Sequence, residues 1–359
     1  MNSKFEIKKT TLKDECIINP KTEGLEEEFL YIDLESVVKG QLVKHNIISR
    51  EAAPSRAQRV LSKWDILYQC VRPYQLNNYI IRDESEIQRV ASTGYAQIRT
   101  KHNPDFLYQL LHTKNFTDQV INRCTGTNYP AINSTDLSGI RINIPCVKEQ
   151  EKIGELLSIL DQRIAIQSKV IEKHESLIKA LSHHIFSTIE PEKEVSIADV
   201  LSYEQPTKYI VSDTEYSDNK DLTPVLTANK AFFLGYTEEV EGIYDKGPCI
   251  ILDDFTLDSK IVDFPFKVKS SAIKILSAKT TVSLRYIFEY LRFLDLNTEE
   301  HKRHYIAEIE PMTIELPEDG TIQSIACLFD RIDQRRKGLE RDLQLLKSQK
   351  DYLLRALFI

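Results

Sequence analysis

"ILDQRIAIQSKVIEKHESLIKALSHHIF" (residues 159–186) and "RIDQRRKGLERDLQLLKSQKDYLLRALF" (residues 331–358) are two copies of one pattern. Asp161-Gln162-Arg163 answers Asp333-Gln334-Arg335, Leu181 answers Leu353, and Phe186 answers Phe358, at a constant offset of 172 residues. In the first copy Leu157, Leu160, Ile164, Gln167, Ile171, His174, Ile178, Leu181 and Ile185 recur at alternating spacings of three and four. In the second, Phe329, Ile332, Arg336, Leu339, Leu343, Leu346, Lys350, Leu353 and Leu357 recur in the same phase. Such a seam marks a helix packed along one stripe against another helix. From Ile153 to Phe186 the helix is about 50 Å long at 1.5 Å per residue. The polar seam positions do not coincide. Arg336 and Lys350 stand where the first copy has Ile164 and Ile178, while Gln167 and His174 stand where the second has Leu339 and Leu346. Each helix is therefore a poor partner for itself and a better one for the other. The long segment between them allows an antiparallel pair within one chain.

Working outward, the flanking segments echo each other more weakly. "TTLKDE" (residues 10–15) answers "VSIADV" (residues 195–200), and "VASTGYAQIRTKHNPDFLYQLLH" (90–112) answers "VKSSAIKILSAKTTVSLRYIFEYLR" (268–292). "GTNYPAINSTDLSGIRINIP" (126–145) answers "KRHYIAEIEPMTIELP" (302–317). The chain reads as one unit, globular module then long helix, used twice, with segments at 1–145, 146–190, 191–315 and 316–359. "EPEKEV" (190–195) is the charged hinge between the halves.

A chain of 359 residues exceeds one ordinary core and suits two domains or more. Its 28% charged and 42% hydrophobic residues match a soluble globular protein. No apolar run approaches the ~18 residues of a membrane span, so no membrane contact is expected. The opening "MNSKFEIKKTTLKDE" lacks the apolar core of a secretory signal. The 6 cysteines are scattered without a C-x-x-C pair, which disfavours zinc and a disulfide framework and suggests a reducing cytoplasm.

The combination of motifs resembles the specificity subunit of type I restriction-modification enzymes. "IPCVKEQEKIGELLSILDQRI" is similar to that family's central helix, with its proline, its Glu-Gln pair and the Leu-Asp before Arg-Ile. "ASTGY" followed by "GTNYPAI" resembles a first target-recognition domain. "SYEQPTKYIV", "TPVLTANKAFFLGYT" and "ILDDFTLDSKIVDFPFKVKSSA" resemble a common form of the second. The match spans the whole chain, with two departures: the second helix has "LPEDGTIQ" in place of the Glu-Gln pair, and the first domain opens without the usual aromatic lead-in. The resemblance implies an α+β fold of two mixed α/β target-recognition domains, separated by two long helices that form an antiparallel coiled coil, with a pseudo-twofold internal repeat. It implies a bipartite double-stranded DNA target, two methyltransferase subunits and two restriction-translocation subunits docked on the helices, and no catalysis or cofactor in this chain. S-adenosylmethionine, ATP and Mg are then expected on the partner subunits.

The chemistry-bearing motifs agree with a non-catalytic chain. There is no G-x-x-x-x-G-K-[ST] loop and no G-x-G-x-x-G loop among 11 glycines. "NPDF" (103–106) approaches the Asn-Pro-Pro-Tyr/Phe of DNA amino-methyltransferases, but Asp105 replaces the second proline, so it reads as a loop before a helix. Asp253-Asp254 reads as a hydrogen-bonding strand end before a metal pair, and His183-His184 as a solvated helix end. The alternatives to a specificity subunit are a stand-alone DNA methyltransferase and a coiled-coil scaffold without DNA specificity.

A net charge of −7 argues mildly against nucleic acid, yet binding needs local rather than total cation density. Arg50, Arg56, Arg59, Lys63 and Arg72 cluster in the first half, and Lys260, Lys267, Lys269, Lys274 and Lys279 in the second. Base reading needs Arg, Asn, Gln, Ser and Thr on loops. The candidate DNA contacts are Arg72, Tyr74, Gln75, Asn77, Thr93, Thr127 and Asn128, then Thr227, Asn229, Lys230, Asp254, Thr256, Lys260, Lys302, Arg303 and His304. Tyr74, Tyr129 and Tyr305, taken as tyrosines alone, read first as core aromatics. The candidate pairing and docking positions are Leu157, Leu160, Ile164, Ile171, Ile178, Leu181, Ile332, Leu339, Leu343, Leu346, Leu353 and Leu357.

Overall fold

The computed structural model describes residues 7–21, 24–228, 231–279, 281–296 and 303–358. Asn229, Lys230 and Lys302 from the candidate DNA contacts lie outside the described residues. The chain forms two compact units: residues 1–169 with 341–359, and residues 170–340. Each unit contains one end of each long helix, Val147–Thr188 and Asp319–Leu357.

In the first unit the strand Lys8–Thr11 runs antiparallel to Arg141–Ile144, with Lys8 opposite Ile144. A one-turn helix, Leu12–Glu15, then leads into the strand Cys16–Ile18. That strand edges a four-stranded sheet in the order Cys16–Ile18, Tyr95–Thr100, Ile66–Gln69, Tyr79–Ile80. A second sheet has the order Asn46–Ser49, Glu28–Ile32, Arg89–Ser92, Ala57–Val60, its central pair parallel. The helix Pro104–Leu110 covers the first sheet. It starts where Asn103 Oδ1 accepts the Phe106 N–H at 2.9 Å and Pro104 fills the first turn. "NPDF" is therefore a helix cap, in line with the reading of it as a loop before a helix.

The second unit repeats this order. Lys193–Ser196 pairs antiparallel with Thr313–Leu316, a one-turn helix Ile197–Val200 follows, and a sheet runs Leu201–Glu204, Ile273–Ala278, Cys249–Asp253, Ser259–Val262. Its second sheet is Phe233–Thr237, Thr223–Leu226, Lys267–Val268, again with a parallel pair. The helix Leu284–Phe293 is capped by Ser283 and takes the place of Pro104–Leu110. The weak sequence echoes are thus equivalent elements of an internal repeat.

The long helices complete each core. In the first unit Leu157 and Leu160 are buried with Phe106, Leu107 and Leu110, and Leu346, Leu353, Leu354 and Phe358 pack on the same cluster. Gly154 is where the first long helix crosses the start of Pro104–Leu110. A Cβ there would meet Asn103 Oδ1 at 2.6 Å and the Phe106 nitrogen at 2.8 Å. Asp161 accepts from Gln109 at 2.6 Å and from Lys350 at 2.5 Å. Further along, Arg163, Ile166 and Gln167 share a groove with Asp342, Leu345, Leu346 and Gln349. As numbers rise on one helix they fall on its partner, so the pair is antiparallel. In the second unit Phe186 is buried among Tyr286, Tyr290, Phe293 and Phe329. Ile178 and Ile332 pack on the same cluster and Leu339 is buried.

Two seam assignments are corrected at the helix ends. Leu357 is exposed, and its neighbour Phe358 instead stacks on Phe106, centroids 5.3 Å apart. Likewise Ser182 and Phe186 are buried, whereas Leu181 is only partly so. A straight helix of 3.6 residues per turn drifts from a 3.5-residue repeat, so the last turns follow a four-residue step: 178, 182, 186 in one copy and 350, 354, 358 in the other.

Candidate nucleic-acid interface

In the first unit the connections after Ile66–Gln69 and around residues 125–131 meet on one rim. Cys70 N–H donates to the Gly94 carbonyl at 3.0 Å, and Ile132 N–H donates to the Cys70 carbonyl at 3.0 Å. Thr93, partly exposed in the turn before Tyr95–Thr100, donates its backbone N–H to the Arg56 carbonyl at 2.9 Å. Arg72 sits at the head of the short turn Pro73–Gln75, with its guanidinium 4.3 Å over the ring of Tyr129. Tyr74, Gln75, Thr127, Asn128 and Tyr129 are exposed. The reading of Tyr74 and Tyr129 as core aromatics is therefore corrected: both rings lie on loops whose backbones are anchored without them.

Gln75 and Asn77 are partly committed. Gln69 Nε2 donates to Gln75 Oε1 at 2.8 Å, and Asn77 Oδ1 accepts from the Lys39 N–H at 3.0 Å. Among the described residues their side-chain amide nitrogens make no hydrogen bond. Arg50 and Arg56 are exposed and Arg59 and Arg72 half-buried, and among the described residues none of the four is ion-paired with a carboxylate. Burial lowers the pKa of Arg59, whose Nε has no hydrogen-bond partner among the described residues. Lys63 lies 3.6 Å from Glu84. Charge clustering alone marks Arg59 weakly. Strand alternation would misplace it: a register shift sets Arg59 opposite Ala91 and Ala57 opposite Ser92, so the two lie on opposite faces of the sheet.

The second unit differs. Asp254 is buried, with Oδ1 accepting the N–H groups of His304 at 3.1 Å and Tyr305 at 2.8 Å. Its Oδ2 lies 3.1 Å from Nζ of buried Lys274, which also donates to the Tyr203 hydroxyl at 3.1 Å. His304 is buried, its Nδ1 2.7 Å from Glu308, and Thr227 is buried at a strand end. Asp254, His304 and Thr227 are thus withdrawn from a DNA surface as side chains. Tyr305 is fully buried, a core aromatic as its type suggests. Asp253 Oδ1 accepts from the N–H groups of Phe255 and Thr256, which fits the strand-end reading of the acidic pair. The basic cluster is corrected too. Lys267 is buried against Glu239 at 2.7 Å, as Lys274 is against Asp254, so neither offers charge to a ligand. Thr256 and Arg303 are exposed and Lys260 partly exposed. Arg303 donates to Ser271 Oγ at 3.4 Å.

No helix among the described residues is long and apolar enough to cross a membrane. Two units that each hold a four-stranded sheet of the same strand order, and are each closed by both long helices, define a class of internally duplicated two-domain proteins. Residues 36–175 match the type I restriction modification DNA specificity domain, so the chain carries that domain. The chain is 38% identical over 169 residues to the EcoR124I/EcoR124II specificity subunit of Escherichia coli, covering 44% of this chain and 42% of the relative. It is 26% identical over 183 residues to the HindI specificity subunit of Haemophilus influenzae, covering 49% and 40%. A third relative, the MjaIX specificity subunit of Methanocaldococcus jannaschii, is 26% identical over 294 residues, covering 70% and 67%. The matched stretch spans about two fifths of the first two relatives. The type I S subunit from M. genitalium superposes with a TM-score of 0.68 at 16% identity, over 100% of this chain and 98% of that one. A chain from the structural study of complex assembly and conformational transition of the type I R-M system gives 0.57 at 18% identity, over 99% of both. The resemblance carried by the sequence motifs is thereby shown, and the fold is that of these subunits.

Proposed function

We propose that this chain is the DNA-specificity subunit of a type I restriction-modification enzyme. It has no catalytic step of its own; it selects a bipartite duplex target for methyltransferase and restriction partners. The observation that carries this reading is the match of residues 36–175 to the specificity domain. That stretch holds the rim with Arg56, Arg59 and Arg72, whose charge no carboxylate offsets among the described residues. Each of residues 1–145 and 191–315 acts as a recognition domain, and residues 146–190 and 316–359 are the spacers between them.

Exposed apolar residues on the long helices support docking of partner subunits there. In the first unit Ile166 and Leu345 flank the interhelical groove, and Leu156, Ile159 and Tyr352 are also exposed. Exposed apolar groups gathered along one element mark interaction surfaces. S-adenosylmethionine, ATP and Mg belong to the partners on this reading, two methyltransferase and two restriction subunits per chain. The stand-alone methyltransferase reading is left without a motif, because "NPDF" is spent on capping a helix.

The test is a methylation map. The chain is expressed with a methyltransferase partner, and methylated sites are sequenced with and without it. A two-part motif dependent on this chain is expected. Methylation that is unchanged without the chain, or that follows no motif, overturns the proposal.

A further inference from the structure

On the rim of the first unit, one arginine is held unusually. Arg72 and Leu76 bracket the turn Pro73–Gln75, and both adopt positive φ, 53° and 52°. A residue with a Cβ resists that conformation, so the surrounding structure must enforce it. The Arg72 N–H donates to the Pro130 carbonyl at 2.8 Å, and Val71 bridges to Ala131. On the facing loop Thr125 and Ala131 exchange two backbone hydrogen bonds, each 2.9 Å. Gly126, at φ 92°, allows the close turn, since a Cβ there would meet the Tyr129 carbonyl oxygen at 3.0 Å. The two loops are thus laced together.

The consequence is a guanidinium fixed 4.3 Å over the ring of Tyr129, a residue that is itself 66% exposed. Among the described residues Arg72 has no ion pair and its side chain makes no hydrogen bond. Its Nε is buried without a partner. An arginine set against an aromatic face, and satisfied by no side chain among the described residues, is set up for a ligand with paired acceptors.

We propose that Arg72, held against Tyr129, reads a guanine through the major groove in the half-site bound by the first unit. This rests on the specificity-subunit reading above. Guanine presents O6 and N7 side by side as acceptors, which the planar fork of arginine matches, and no other base edge in that groove does so. A phosphate would also accept the fork, but lysine binds phosphate as a point charge, so Arg72→Lys separates the two contacts. Here the guanidinium rests over the Tyr129 ring, and the exposed Thr127 and Asn128 on the same loop are base-edge types.

The experiment uses the full chain with its methyltransferase partner and the methylation map as readout. The wild-type motif should contain a G in one half. Arg72→Ala should relax preference at that position about tenfold or more and leave the other half-motif intact, which also shows that the chain is folded. Arg72→Lys keeps charge but loses the fork, and should relax the same position. Tyr129→Phe should keep the preference and Tyr129→Leu weaken it. An unchanged motif in Arg72→Ala overturns the proposal. So does a uniform loss across all sites that Arg72→Lys restores, which would assign the contact to phosphate. A wild-type chain that directs no motif at all instead sinks the underlying reading.

Discussion

Phe186→Ala tests how the second unit is closed. Phe186 is 5% exposed and touches Tyr286, Tyr290, Phe293 and Phe329 at centroid distances from 5.3 to 6.2 Å. Truncating a buried Phe to Ala costs about 3–5 kcal/mol, part transfer and part cavity. The upper end is expected, because four aromatic neighbours cannot collapse into the space without leaving their rotamers. With a urea m-value of roughly 2 kcal/mol/M for a unit of this size, the midpoint should fall by about 2–2.5 M. Circular dichroism follows the helices and sheets. Fluorescence of Trp64, the 1 tryptophan of the chain, arises in the first unit and reports it separately. The dichroic transition should split, with the lower part moved and the Trp64 transition in place. A total change below about 1 kcal/mol would refute Phe186 as the closing residue. A Trp64 midpoint that falls just as far would refute its assignment to one unit's core.

Further outcomes follow from individual side chains. Lys274→Met leaves Asp254 buried without its cation and should lower stability by about 3–5 kcal/mol, measured by denaturation; Asp254→Asn in the same chain should recover part of it. The Lys8 hydrogen bond, with those of His102 and Thr10, holds the Glu15 carboxyl at about 2, below its ordinary 4.5. A depressed carboxyl stabilises the fold above its unfolded pKa, so that contribution should be full above pH 4.5 and fade as pH falls toward 2. Glu15→Gln should flatten the acid limb of a stability-pH curve. Replacing Arg56 and Arg59 by Ala should weaken DNA binding by the whole complex evenly across sequences. It should also reduce the slope of log K against log salt by about one for each phosphate no longer neutralised; an unchanged slope places the phosphate-binding cations elsewhere.

The helices are the legible part of the sequence because a seam is a local signal. Leu157, Leu160, Leu339 and Leu346 can be placed on it without knowing any partner. The seam fails only at Leu181 and Leu357, where helical drift, invisible in a strict repeat, hands the packing to Phe186 and Phe358. Lys350 looks like a flaw in an apolar stripe; its explanation, Asp161, is on the other helix. Charge is the least legible feature. Lys267 and Lys274 read as part of a basic surface, since Glu239 and Asp254 come near only through sheet pairing. Tyr74 and Tyr129 err the other way, because no composition rule tells an aromatic anchored by its loop from one anchored by a core.

The division of the chain also sets an order of events during synthesis. Residues 170–340 form one continuous stretch, so the second unit has all its parts once that stretch has been made. The first unit begins earlier yet needs residues 341–359, including the phenylalanine that stacks on Phe106. At roughly 5–20 residues per second, its core waits on the order of ten seconds or more for the segment that seals it. Its exposed apolar surface in that interval is the natural target of a chaperone, and the half begun first is the last to be finished.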